Sequence, residues 1–104
     1  MVHIEKDVSE VLFHGTTNLT TANTPSQVIT TLPAWPKKGV HLKAGVSNTG
    51  NIYVGNSGVT NNLTSAACGF PLKAGEEVFI ACEDPRKIHA ANATANDIIH
   101  WLIV

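Results

Sequence analysis

At 104 residues the chain is the size of one domain. Its 43% hydrophobic content suits a folded globule, and 14% charged residues is low for a surface facing only water. A formal net charge of -1, with Lys37-Lys38 and Arg86-Lys87 as the only adjacent basic pairs, argues against nucleic-acid binding, and no apolar run reaches membrane-spanning length.

Met1 to Asp7 carries charges where a secretory signal needs an apolar core, so export by that route is not expected. Val8, Val11 and Leu12 fit one face of a helical turn, but Val11 to Phe13 reads better as a short strand, because Gly15-Thr16-Thr17 follows at once. Residues 15–26 are rich in Thr, Asn and Ser and end at Pro25, so they read as loop. Gln27 to Leu32 is β-branched and reads as a strand. Pro33-Ala34-Trp35-Pro36 stops it, since proline cannot donate to a ladder and Pro36 holds Trp35 extended. Trp35 then either caps the core or stands out as an aromatic anchor of the kind enriched at interfaces.

The stretch from Val40 to Gly55 reads as strand, turn, strand, and it is taken as the centre of the fold. Val40, Leu42, Ala44 and Val46 share one side of a period-2 repeat, with His41, Lys43 and Ser47 on the other. Ser47 to Asn51 supplies the Asn and Gly of a hairpin loop, which predicts positive φ at Gly50. Ile52-Tyr53-Val54 restarts the strand, and Gly55 to Gly58 ends it. Residues 59–64 are irregular, and residues 65–70 form a weak strand that Pro71 keeps from the middle of a sheet. Val78 to Cys82 is apolar on both faces and is predicted to be a central strand. Glu83 to Arg86 is a turn, Ile88 to Ala91 is short extended chain, and residues 92–97 are loop. Ile98 to Val104 is so apolar that it must dock inside a sheet, with Trp101 in the core. Six to eight short strands with regular turn signals and no convincing helix predict an all-β fold, an antiparallel sandwich or barrel-like domain.

Reaction chemistry is sparse. The five histidines, His3, His14, His41, His89 and His100, have no metal-ligand spacing, although strands could gather His41, His89 and His100. Cys68 and Cys82 lack CxxC spacing and read as small buried thiols, with a disulfide between neighbouring strands as the alternative. Glu76-Glu77 and Glu83-Asp84 flank one strand, where neighbours in sequence point apart, so they read as solvated turn charge. Gly55-Asn56-Ser57-Gly58 departs from a nucleophile elbow in its spacing. Asn18, Asn62 and Asn92 head glycosylation-type triplets, taken as chance matches without a secretory route. No catalytic, cofactor or metal residue is expected.

The chain resembles a small β domain of tailed-bacteriophage virion proteins. The resemblance lies in Leu42-Lys43-Ala44, Ser47-Asn48-Thr49-Gly50, Ile52 to Val59, Leu72-Lys73-Ala74-Gly75-Glu76, Asp84 to Ile88, and a closing strand with Trp101. It covers residues 26–104, leaving residues 1–25 as a partly irregular N-terminal arm. The resemblance implies a non-enzymatic virion structural protein, of the head decoration or cement type, that sits on a capsid surface after assembly in the bacterial cytoplasm. The implied partners are a major capsid protein and further copies of the chain, with a trimer expected. The alternative is a carbohydrate- or ligand-binding sandwich of a phage fibre or tail. Trp35, Pro36, Lys37, Asn56, Asn61 and Asn62 are the expected interface residues, and Gly50, Gly55, Gly75 and Trp101 the expected structural ones. A short domain gains little net stability alone, and low surface charge leaves little to repel a partner, so both lean towards assembly.

Overall fold

The computed structural model describes residues 12–31 and 35–104. The expectations for residues 1–11, and for Leu32, Pro33 and Ala34, lie outside the described residues. Eight strands are present among them: β1 (Phe13–Leu19), β2 (Ser26–Gln27), β3 (Val40–Ala44), β4 (Ile52–Gly55), β5 (Phe70–Leu72), β6 (Glu77–Ile80), β7 (His89–Asn92) and β8 (Asp97–Ile103). A single 3-10 turn, Pro85–Lys87, joins β6 to β7. The strands form two four-stranded antiparallel sheets, a first of order β1-β8-β3-β6 and a second of order β2-β7-β4-β5. The fold is the all-β antiparallel sandwich that strand patterning predicts.

β8 is the spine of the first sheet. It pairs with β1 over its whole length and with β3 on the other side. Ile99 and Ile103 point inward and are fully buried with Val40, Leu42 and, from the second sheet, Ile52. A strand with partners on both edges can be apolar without risk of aggregation, which is where its composition requires it to sit. Trp101 is only half-buried and packs against this core rather than within it. Its ring lies over Gly15, where a Cβ would fall 2.3 Å from Trp101 Cζ2.

The expected central hairpin is not one. β3 and β4 lie in different sheets, so the segment between them is an arch from one layer to the other. The cause is visible in its hydrogen bonds. Asn48 Nδ2 donates to the Ile98 carbonyl at 2.8 Å, and Ile98 N–H donates to Asn48 Oδ1 at 2.9 Å. Gly45 N–H also donates to the Ile98 carbonyl, at 3.0 Å, so the Asn48 oxygen takes the one bond that the Gly45 carbonyl would accept if the ladder went on. Asp97 accepts from the N–H of Thr49 at 3.2 Å and of Gly50 at 2.9 Å. These bonds pin the loop to β8 and prevent it from folding back along β3. Val46, expected in the core, is 75% exposed as a result. Gly50 does not have positive φ; a Cβ there would instead lie 2.8 Å from Thr94 Oγ1. The left-handed glycine of this region is Gly75, at φ +82° in the turn between β5 and β6.

Three further expectations are corrected. Residues 15–26, expected as loop, contain most of β1, because Thr is a good strand former once β8 offers a ladder. Of the strand expected over residues 27–32, only Gln27 is strand among the described residues, as the second residue of β2, although Val28 and Ile29 are buried. β6, expected at the centre, is an edge strand with Phe79 43% exposed. Pro71 does lie on an edge, in β5.

Candidate functional site

The sandwich is tied shut along its β1/β2 side and open along its β5/β6 side. At the closed side Thr17 Oγ1, from β1 in the first sheet, donates to the carbonyl of Val28, which follows β2 in the second, at 2.5 Å. Trp101 Nε1 donates to the same hydroxyl at 3.3 Å.

At the open side, a cleft of about 720 Å³ enters between the sheets. Its floor is Val54 from β4, Val78 and Ile80 from β6, and Ile88. Val78, Ile80 and Cys82, expected to be buried, are half-buried here because, among the described residues, no strand pairs with the outer edge of β6. Trp35 and Phe70 form an aromatic rim, 60% and 59% exposed. One end carries Asn56, Glu83, Asp84 and Lys87.

Asp84 organises that end. It caps the 3-10 turn, accepting from Arg86 N–H at 3.0 Å, and it pairs with the Arg86 guanidinium through Nε at 3.0 Å and Nη2 at 3.1 Å. These bonds to Arg86 hold its carboxyl below the usual carboxylate range, with the Lys87 charge adding to them. The guanidinium in turn sits 5.5 Å from the centre of the Trp35 ring. That cation–π contact is part of what holds an exposed Trp in place. Cys82 faces the cleft with its thiol pKa pushed up, first by burial and then by the negative charge of Asp84. A thiol so placed stays protonated and is a weak nucleophile.

The expected interface residues are partly gathered. Trp35 and Asn56 both line the cleft, and Pro36 and Lys37 follow Trp35 directly. Asn61 and Asn62 do not reach it: Asn61 Nδ2 donates to Asn23 Oδ1 at 2.8 Å, and Asn62 Oδ1 accepts from Thr64 within its own loop. Of the expected structural residues, Gly55 ends β4 at the cleft, Gly75 turns into β6, Gly50 meets Asp97, and Trp101 covers β1. Phe70 and Ile88 were missed as site residues. A Phe beside Pro71 was the available signal, since an edge strand cannot bury both its faces.

His41, His89 and His100 are not brought together. His41 and His100 lie on the outer face of the first sheet with His14, Lys43 and Glu77, while His89 is in the second sheet. No group of three or more metal-ligand side chains forms among the described residues. His41 instead packs on Phe79, with ring centres 4.8 Å apart, and His100 Nδ1 is 2.8 Å from Thr16 Oγ1. Cys68 and Cys82 are free and half-buried, not bonded to each other.

No protein-family model matches the chain, and no curated protein and no solved structure matches it. What the cleft can do follows from its lining. An apolar floor with aromatic lips takes apolar side chains out of water, and the charged end fixes their orientation.

Proposed function

We propose that this protein is a non-enzymatic virion structural protein, a β-sandwich that decorates or cements a phage capsid as a homo-oligomer. The observation that carries the reading is the aromatic rim. Trp35 and Phe70 are the side chains a binding surface spends its energy on, and they stand 60% and 59% exposed beside an apolar cleft. A rigid two-sheet frame holds them, so little order is lost when a partner covers them. The partner of this reading is a major capsid protein, on whose many equivalent sites weak single contacts add up through avidity.

The second reading is a ligand-binding module of a fibre or tail, with carbohydrate the favoured ligand. It is favoured by one arrangement: the Trp35 ring, a flat apolar face, stands beside the Asp84–Arg86 pair and Asn56.

Co-sedimentation with purified capsids tests the first reading. The wild type is expected to pellet with capsids, and Trp35→Ala to pellet at least about tenfold more weakly, as loss of an interface Trp implies. If the wild type stays in the supernatant and a glycan array shows binding that Trp35→Ala abolishes, the fibre reading takes its place.

A further inference from the structure

The open cleft lies beside β6, which is an edge strand among the described residues. Gly39 and Val104 exchange both backbone hydrogen bonds, at 3.1 and 3.0 Å, and Gly45 N–H donates to the Ile98 carbonyl. Odd-numbered residues of β3 therefore bond β8. Ala44 N–H donates to the Glu76 carbonyl, so the even-numbered residues bond β6. In an antiparallel ladder the bonding alternates along each strand. With Leu42 opposite Val78 and Val40 opposite Ile80, the N–H and C=O of Glu77 and Phe79 must point away from β3, towards the open edge.

The edges are not alike. β5 is three residues long and carries Pro71, and β2 has only two residues. β1 shows a polar outer face of His14, Thr16 and Asn18, and it lies on the closed side of the sandwich. Such features keep an edge from pairing. β6 has neither proline nor lysine, and Phe79 is 43% exposed beside the equally uncovered cleft.

We propose that two copies of the chain pair their β6 strands antiparallel about a two-fold axis at Phe79, joining their first sheets into one. This rests on the homo-oligomer part of the reading above. Extended polypeptide is the chemistry that satisfies alternating backbone donors and acceptors along an edge. β6 is complementary to itself. Residues with outward backbone groups must face each other, so a two-fold axis at Phe79 sets Glu77 opposite Ala81 of the other copy. No two carboxylates of Glu77 meet in that register. The inward side chains Val78 and Ile80 of the two copies then share one continuous inner face of the joined sheet.

The test is solution mass by light scattering across a concentration series. The wild type is expected at twice the mass of one chain. Phe79→Pro removes only the outward N–H, so the β3–β6 ladder survives while the dissociation constant rises at least about tenfold. Phe79→Lys does the same by placing two cations on the axis, and it covers the case in which the proline variant fails to keep its sheet circular dichroism. In a Cys68→Ser, Cys82→Ser background, Phe79→Cys is expected to cross-link the copies on oxidation, because hydrogen-bonded antiparallel partners lie about 5.5 Å apart at Cα. A wild type of single-chain mass throughout, a trimer, or a folded Phe79→Lys dimer would each overturn the pairing. If capsids still bind in any of those cases, the capsid-binding part of the proposed function stands; a trimer or a folded Phe79→Lys dimer removes only this interface, and a single-chain mass also removes the homo-oligomer part.

Discussion

Asn48 shows how one side chain can redirect a chain. Its side-chain oxygen accepts the Ile98 N–H where the next backbone carbonyl of a continuing ladder would, and Asp97 holds the next two N–H groups. Asn48→Ala leaves the partly buried Ile98 N–H without its partner, while the Ile98 carbonyl keeps the Gly45 N–H. The expected cost is about 1–3 kcal/mol, the penalty for an orphaned buried polar group. In a thermal melt followed by circular dichroism, that lowers Tm by at least about 4 °C for a domain of this size. An unchanged Tm would mean that the arch is held by packing alone. Asn92 has a related role: its Nδ2 donates to the Leu19 and Thr94 carbonyls, tying β7 to the end of β1 and to the loop that leads into β8.

Among the elements, β1 and β8 depend on each other most closely. β8 supplies the ladder, and Trp101 lies over the gap left by Gly15 in β1. Its indole also donates to Thr17, on the opposite strand. Trp101→Ala removes a half-buried ring and leaves glycine backbone uncovered, at a cost of about 3 kcal/mol, the low end for buried aromatics. Gly15→Ala is the reciprocal change. Its Cβ has no room under the ring, so Trp101 must move, at about 1–3 kcal/mol. Chemical denaturation of both single variants and the double variant checks this. The double variant should be markedly less destabilised than the two costs added together, because each removes the contact that the other perturbs. Strict additivity would show that ring and glycine are not coupled.

At the scale of the molecule, the open cleft leaves a signature in pH dependence. The Cys82 thiol is pushed above its ordinary value of 9.0 by burial and by Asp84. A group whose pKa is raised in the fold is bound to its proton more tightly there than in the unfolded chain. Its contribution is therefore complete below the unfolded value and is lost as pH rises through the folded one. Thermal melts above about pH 9 should fall more steeply for the wild type than for Cys82→Ser, which has no such proton to lose. Parallel curves would place Cys82 in open solvent.

The fold class was legible in the chain's own patterning, and the reason is local. Period-2 alternation in Val40–Ala44, the apolar run of Ile98 to Val104 and the proline at position 71 each constrain a strand through its own backbone and side chains. Asn56 was legible as a surface residue for a similar reason, since it lies among turn-forming neighbours, whereas for Trp35 the sequence left core cap and exposed anchor both open. Tertiary structure alone decided which strands are neighbours. Ser47 to Asn51 has the composition of a hairpin loop, and only the bonds from Asn48 and Asp97 to partners across the fold make it an arch. Val78 to Ile80 is apolar enough for a central strand, yet β3 has just two edges and β8 takes one of them, leaving β6 outermost. The cleft follows from that placement. Its floor comes from β4, β6 and Ile88, segments whose meeting depends on how the two sheets stack and on no pattern within any one of them.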